Sequence, residues 1–226
     1  MFRVSMLIFA TALACFSMSI QAAKDPGQPI RQFKTQEKVV ALTFDDGPDI
    51  PYTQEILDVL DKYKVKATFF VIGSSAKAHP ELLKQIMTKG HDIGNHSWNH
   101  DFMKHWSVDK VKKSIESTDV VIRKAGYQKP IPFRGPFGIN TENIATAVNQ
   151  LDKKHVLFDF LPQDWTKISS DQIVQNVMVR MRPGLIITLH DGGKRRQQTV
   201  IATEKLINTL QSQGYQFKTL SELMND

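Results

Sequence analysis

The stretch that decides the fold is VVALTFDDGP, residues 39–48. Its first six residues are a mostly apolar run of strand length, which suits a strand buried on both faces, as in a parallel sheet. Asp45 and Asp46 follow directly. Asp, Gly and Pro also favour turns, so an ordinary acidic turn is the alternative interpretation. Because two adjacent carboxylates are costly unless a cation offsets one of them, the pair indicates a functional site.

Strand-like and helix-like patterns alternate along the rest of the chain. The predicted strands are residues 39–44, 67–72, 92–94, 131–133, 156–160, 184–189 and 215–217. The predicted helices are residues 56–63, 80–90, 107–126 (capped by Ser107), 141–150, 169–181 (capped by a Ser169–Gln172 capping box) and 199–211. This alternation predicts an α/β fold of about seven parallel strands with crossover helices. A (β/α) barrel is favoured over a Rossmann-like open sheet, because no glycine-rich phosphate loop follows the first strand.

Polar side chains follow several of the predicted strands at the point where each strand ends. They are Asp45, Asp46, Arg134, Asp164, Trp165, His190 and Asp191. In a (β/α) barrel the C-terminal ends of the strands converge on one face, where active sites form. We therefore expect these side chains to meet at the mouth of the barrel.

Two histidines four residues apart, His96 and His100, form a candidate metal pair. The two imidazoles can share a helical face, or a loop can return the second beside the first. A His-x-x-x-His pair alone is more often incidental than functional, but Asp46 adds a third ligand. Two imidazoles and one carboxylate suit Zn(2+) with an open position, and Co(2+), Ni(2+) or Fe(2+) also fits the set.

His190 is a candidate general acid, because a histidine at the barrel mouth can protonate a leaving amine near neutral pH. Asp164 is the candidate partner that holds and tunes it, and Arg134 is the candidate cation beside Asp45. A metal on Asp46 and a guanidinium at Asp45 would give the two acids different tasks. The remaining histidines are interpreted as surface or structural residues. They are His79, His91, His105 and His155.

Five ordered motifs resemble those of the polysaccharide deacetylases, the NodB-homology proteins of carbohydrate esterase family 4. They are TFDDGP (43–48), HSWNH (96–100), RGPFG (134–138), DW (164–165) and LHD (189–191). The resemblance extends from about Val39 to Leu223. It implies a distorted (β/α) barrel and metal-dependent N-deacetylation of N-acetylglucosamine units in chitin-type or peptidoglycan-type polymers.

The resemblance also implies a role for each matching residue. Asp45 would be the base that activates water, and Asp46, His96 and His100 would hold the metal. His190 would protonate the leaving nitrogen, Arg134 would orient Asp45, and Asp164 would tune His190. The implied substrate contacts are Pro136, Phe137 through its backbone N–H, Trp165 beside the acetyl group, and Thr188.

Two positions depart from the family pattern. Phe137 stands where tyrosine is usual, and Thr188 stands where an apolar residue, commonly leucine, lines the acetyl pocket. The first change is tolerable if the backbone amide is the useful donor, and the second implies a slightly more polar pocket. Neither change removes a ligand, base or acid.

The amino terminus predicts export. Residues 1–23 contain one basic residue, then a short apolar stretch and small residues, as in a signal peptide cleaved after Ala22 or Ala23. Residues 24–37 are a polar lead-in, and residues 38–226 form the deacetylase domain. We expect a periplasmic or extracellular protein without stable membrane insertion. Lipoprotein anchoring through Cys15, the single cysteine, is the less favoured alternative.

The charge and composition of the chain bear on which binding partners are expected. Without residues 1–23 the chain has 28 basic and 23 acidic residues, a net charge of +5, which suits an anionic envelope but specifies little. No nucleic-acid module is visible, and we expect a monomer whose partner is an N-acetylated glycan. Residues 194–196 (KRR) either meet anionic groups of a wall polymer or form a solvated loop. The functional alternatives are a non-catalytic carbohydrate-binding relative and a deacetylase of acetylxylan or a small amide.

Overall fold

The computed structural model describes residues 28–225, so the predicted signal peptide and Cys15 lie outside the described residues. The strands are β1 (Val39–Asp45), β2 (Thr68–Val71), β3 (Asp92–Asn95), β4 (Ile186–His190) and β5 (Gln216–Phe217). The sheet order is β3-β2-β1-β4, with β5 also paired to β1, and every ladder is parallel. The predicted α/β fold with a parallel sheet is therefore confirmed.

Isolated bridges carry the sheet around into a distorted barrel. The bridged pairs are Asn95–Phe133, Phe133–His155, Ile30–Val156 and Gln32–Leu185. They connect β3 to the residue preceding β4, and residues 30–32, within the predicted polar lead-in, supply the last link.

The strands predicted at residues 131–133 and 156–160 are reduced to these single bridges, so five strands are assigned among residues 28–225. Pro132 has no N–H to donate to a ladder. The carbonyl of Phe158 accepts from Arg31 Nη1 at 2.7 Å instead of from a neighbouring strand. Both segments therefore leave the sheet after one or two paired residues.

Helices cover the outside of the sheet. They are α1 (Tyr52–Lys62), α2 (Gly73–Ala78), α3 (Pro80–Thr88), α4 (Val108–Lys124), α5 (Glu142–Gln150), α6 (Ser170–Met178), α7 (Gln197–Ser212) and α8 (Leu220–Asn225). Ser107 and Ser169 cap α4 and α6 as predicted, each accepting a backbone N–H through its hydroxyl. Sequence patterns did not predict α2 and α8. Within residues 28–225, every helix is too short or too polar to span a bilayer.

Strand β1 is buried along its whole length, as its sequence predicts. Because side chains alternate along a strand, Val40, Leu42 and Phe44 pack into the main hydrophobic cluster. Thr43 and Asp45 point to the other side, where both contact the buried guanidinium of Arg134. Alternation within one strand therefore separates the core of the protein from the polar centre at its mouth.

Candidate active site

The register of the sheet brings the predicted residues together. Asp45, the last residue of β1, is the Cα partner of His190, the last residue of β4. A cavity of about 380 Å³ opens beside them. The residues that line it are Asp45, Asp46, His96, His100, Phe137, Phe158, Leu161, Trp165, His190 and Arg196. A second groove, of about 580 Å³, lies between α2, α3 and α4 and contains no predicted site residue.

The three predicted metal ligands converge on one point. Asp46 Oδ1 lies 3.5 Å from His96 Nε2 and 3.2 Å from His100 Nε2. The three ligand atoms lie within 4.8 Å of one another. Asp46 Oδ1 is buried and makes no hydrogen bond within residues 28–225. Burial alone would raise the pKa of Asp46, but the contact of its carboxylate with His96 and the nearby histidine charges lower it well below its usual range.

The Nε2 atoms of His96 and His100 are the candidate metal-binding atoms of the two rings. His96 Nδ1 lies 2.7 Å from the carbonyl oxygen of Arg134, so Nδ1 carries the proton and the Nε2 lone pair faces Asp46. Burial, followed by the neighbouring His96, lowers the pKa of His100, which favours its neutral form. Two neutral imidazoles and one carboxylate fit a divalent ion of the zinc type, with the cavity left for further ligands.

A loop, not a helix, carries the histidine pair. The sequence left both possibilities open. His100 and Ser97 have positive φ angles of 60° and 70°. The Ser97 hydroxyl accepts the N–H of His100 at 3.1 Å, and Asn95 Oδ1 accepts the N–H of Ser97 at 2.9 Å. These local hydrogen bonds fold the chain back so that the second imidazole lies beside the first.

The first carboxylate of the pair is held by a buried cation. Arg134 is fully buried and its Nη1 donates to Asp45 Oδ1 at 2.7 Å and to Thr43 Oγ1 at 2.9 Å. The guanidinium lies 4.0 Å from the centre of the Phe70 ring. Burial lowers the pKa of Arg134, and the charge of Asp45 opposes that shift. Arg134 therefore lies beside Asp45, as predicted, whereas Asp46 faces the two histidines.

His190, which lines the same cavity, is bound to Asp164. Asp164 accepts His190 Nδ1–H at 2.8 Å, the backbone N–H of His190 at 2.8 Å and the Thr199 hydroxyl at 3.0 Å. Burial lowers the pKa of His190, but the hydrogen bond and charge of Asp164, with the more distant carboxylates, raise it to about 8. His190 Nε2 is the ring nitrogen left for chemistry in the cavity.

The predicted substrate contacts divide into two groups. Trp165 and Phe137 line the cavity, and Trp165 meets His190 edge-on at a ring distance of 5.2 Å. Phe137 has a φ of 59°, a conformation that costs a bulky residue about 1–3 kcal/mol. Pro136 and Thr188 are buried and do not line the cavity.

Thr188 faces the barrel interior, where its hydroxyl lies 3.2 Å from that of Thr43. Among residues 28–225, Phe158 and Leu161 line the cavity without any preceding sequence signal, because both follow the point where the predicted strand leaves the sheet.

Asp191 is a buried residue at the site to which the sequence assigned no role. Its Oδ1 accepts the N–H of Gly47 at 3.1 Å, and its Oδ2 accepts the hydroxyl of Thr53 at 2.6 Å. These bonds hold the turn in which Asp46 has a φ of 78°. Burial raises the pKa of Asp191 to about 7. Its place beside His190 was the only available signal.

The basic run at residues 194–196 is only partly a solvated loop. Lys194 and Arg195 are exposed, but Arg196 is buried. Its Nε donates to the carbonyl of Gly192 at 2.7 Å, and its Nη2 lies 4.0 Å from Asp46 Oδ2. One member of the basic run therefore belongs to the lining of the cavity.

One mouth of the parallel-sheet barrel holds an Asp-His-His cluster that could bind a divalent metal, together with a buried Arg–Asp pair and an Asp–His pair. This arrangement is typical of metal-assisted hydrolases. The profile of the polysaccharide deacetylase family matches residues 32–156. This match covers more than half of the chain, and the chain therefore belongs to the polysaccharide deacetylase family.

Two relatives and two solved structures illustrate the membership. A peptidoglycan-N-acetylglucosamine deacetylase of Bacillus cereus is 39% identical over 190 residues, covering 83% of this chain and 89% of the relative. A chitooligosaccharide deacetylase of Sinorhizobium fredii is 34% identical over 194 residues, which cover 81% of this chain and 90% of the relative. The crystal structure of the Bc1960 peptidoglycan N-acetylglucosamine deacetylase gives a TM-score of 0.82 at 32% identity, covering 86% and 91%. The crystal structure of a CE4 family pseudoenzyme from Bacillus anthracis gives a TM-score of 0.81 at 29% identity, and the match covers 88% of this chain and 69% of that one.

Proposed function

We propose that this protein hydrolyses the N-acetyl groups of N-acetylglucosamine units in chitin-type or peptidoglycan-type glycans. The observation that carries the proposal is the placement of Asp45 and His190. They are partners on neighbouring strands and line the same cavity as the three candidate metal ligands. The named activities of the two relatives, on peptidoglycan and on chitooligosaccharides, support the substrate class.

Asp45 is the proposed base. Arg134 holds its Oδ1, which leaves Oδ2, 3.9 Å from His96 Nε2, directed toward the ligand cluster. Asp45 takes a proton from water as the water oxygen adds to the acetamide carbonyl carbon. A divalent ion held by Asp46, His96 and His100 would supply Lewis-acid polarisation at that carbonyl.

His190 is the proposed acid. Its pKa of about 8 keeps it protonated near neutral pH, and Asp164 fixes the ring so that Nε2 carries the proton to be donated. When the C–N bond breaks, His190 gives this proton to the leaving amine, and the products are acetate and a free amino sugar. Trp165 packs edge-on against His190 and forms part of the wall beside the reacting group.

The metal is proposed to be Zn(2+), with Co(2+), Ni(2+) or Fe(2+) as substitutes, because the ligand set is mixed nitrogen and oxygen. Metal analysis of purified protein, followed by chelation and reconstitution with each ion, tests this assignment. Restoration of acetate release by Zn(2+) is expected. Full activity in protein shown to contain no metal would contradict it.

Export is a proposal that rests on residues 1–23. Intact mass measurement of the protein recovered from the periplasm or medium is expected to show an amino terminus at Ala23 or Lys24. A lipid-modified Cys15 at the amino terminus would instead support anchoring. Retention of Met1 in an active cytoplasmic protein would overturn the export proposal.

The central test is Asp45→Asn, which keeps the shape of the side chain and removes the base. We expect acetate release from chitooligosaccharides to be abolished while zinc content is retained. Asp171→Asn is the matched control, because Asp171 is an exposed acid whose ion pair within residues 28–225 is with Lys205. Undiminished acetate release by the Asp45 variant would show that Asp45 is not the base.

A substrate panel separates the alternatives. Acetate release is measured on chitooligosaccharides, peptidoglycan, acetylxylan and a small amide with the metal-loaded protein. The proposal expects release from the first two. Tight glycan binding with no release from any of the four would favour the non-catalytic alternative, which the presence of both Asp45 and His190 argues against.

A further inference from the structure

Two exposed phenylalanines form a pair at the edge of the candidate active site. Phe102 and Phe137 are each 59% exposed, and their ring centres lie 5.7 Å apart. Phe137 also packs edge-on against the candidate ligand His100, with ring centres 4.5 Å apart. The aromatic surface therefore continues from the cavity wall outward to Phe102, which does not itself line the cavity.

Neighbouring residues hold both rings in this position. Phe137 has a left-handed backbone conformation, which persists only where the surroundings impose it. The next residue, Gly138, lies so close to the ring of Phe158 that a β-carbon there would overlap it. Phe102 is followed by Met103, which is fully buried and fixes the start of a short 3-10 helix (Met103–His105).

The pair is unlike a scattered surface hydrophobic residue. Single exposed apolar side chains are common and require no explanation, whereas adjoining ones beside a cleft mark binding surfaces. Trp165, which also lines the cavity and packs against His190, is 43% exposed. Aromatic surface therefore flanks the cavity on the side of the ligands and on the side of the proposed acid.

The chemistry of the expected occupant follows from the shape of the site. A cavity of about 380 Å³ is at the small end for ligand sites, so sugar units beyond the reacting one must lie outside it. A pyranose ring presents a face of C–H groups, which packs against the flat apolar surface of an aromatic ring. A chain of sugars leaving the cavity past His100 and Phe137 meets Phe102 next.

We infer that Phe102, together with Phe137, binds the sugar unit adjacent to the one that loses its acetyl group. Phe102 is thus a substrate-binding residue that makes the protein favour oligomeric over monomeric substrates. The inference rests on the proposed function, because it concerns how the same glycan extends from the same cavity.

The test compares Phe102→Ala, Phe102→Tyr and the wild type on two substrates, N-acetylchitotetraose and monomeric N-acetylglucosamine. The readout is the ratio of kcat/KM for the tetramer to kcat/KM for the monomer. We expect alanine to lower this ratio about tenfold, mainly through a higher KM for the tetramer, a loss of about 1.4 kcal/mol. Tyrosine, which keeps the ring, should restore the ratio.

Val179→Ala is the matched control, because Val179 is 75% exposed and does not line the cavity. It should leave the ratio unchanged, and thermal melts check that all variants are folded. An unchanged ratio in the alanine variant, or an equal fall in the tyrosine variant, would overturn the inference.

A separate measurement distinguishes this inference from the proposed function. If the wild type releases no acetate from these two substrates or from peptidoglycan, the proposed function fails, and the affinity for N-acetylchitotetraose measured by calorimetry decides the role of Phe102. About tenfold weaker binding by the alanine variant than by the tyrosine variant then supports the sugar site. Equal binding rejects it.

Discussion

Replacing Asp164 with asparagine should move the pH dependence of both activity and stability. Asp164 accepts three hydrogen bonds in a fully buried position, two of them from His190. Asparagine keeps the shape but loses the charge, and its amide group cannot accept all three. The pKa of His190 should therefore fall from about 8 toward or below its ordinary value of 6.5.

The size of the effect follows from that shift. A difference of about 1.5 pKa units corresponds to about 2 kcal/mol. Since the folded-state pKa of His190 is raised, its stabilisation is complete below about pH 6.5 and is lost as the pH rises through 8. The loss of unfolding free energy in the variant should therefore be about 2 kcal/mol larger at pH 6 than at pH 9.

Two assays measure the result. Urea denaturation at pH 6 and pH 9 gives the stability difference, and kcat for acetate release between pH 5 and pH 10 gives the activity profile. Wild-type activity should decline above about pH 8 as His190 loses its proton, and the decline should begin at lower pH in the variant. Asp171→Asn should change neither measurement appreciably, since exposed ion pairs contribute about 0–1 kcal/mol. If kcat declines at the same alkaline pH in Asp164→Asn and in the wild type, Asp164 does not raise the pKa of His190 and the reasoning is refuted.

Three other changes test the surrounding structure. Thr53→Val keeps the shape but removes the buried hydroxyl that donates to Asp191, so the unfolding free energy should fall by about 1–3 kcal/mol in urea denaturation. An unaltered midpoint would show that this bond does not matter. His100→Ala should lower zinc occupancy after dialysis, measured by metal analysis, and full occupancy would remove His100 from the ligand set. Gly192→Ala should lower the melting temperature and acetate release together, because the added β-carbon would overlap the backbone carbonyl of Asp46. A wild-type melt would contradict this close contact.

The parts of the fold that the sequence predicted well are those with a local physical signal. Strand β1 was predicted because its apolar run is buried on both faces. The starts of α4 and α6 were predicted because Ser107 and Ser169 cap them through a short-range hydrogen bond. Placement of Asp45 and His190 at one mouth followed from the rule that parallel strands end on the same side.

The parts that were not predicted depend on contacts between distant residues. Closure of the barrel uses single bridges at Ile30 and Gln32, and one paired residue produces no periodic pattern. The role of Asp191 arises only when the fold brings Thr53 beside it. The burial of Thr188 against Thr43 depends on the register between two strands, which one sequence does not specify.

The manner in which the barrel closes has a consequence for the order of its assembly during synthesis. The closing bridge joins Gln32 to Leu185, 153 positions later in the chain, and Asp45 meets His190 across a similar separation. Such pairings form slowly because a long loop must be ordered before any contact compensates for it. A nascent chain emerging amino terminus first carries Asp45 and all three candidate ligands before it carries His190. The proposed acid is therefore synthesised after the proposed base and the candidate metal ligands, and a chain that ends before it lacks the group that would protonate the leaving amine.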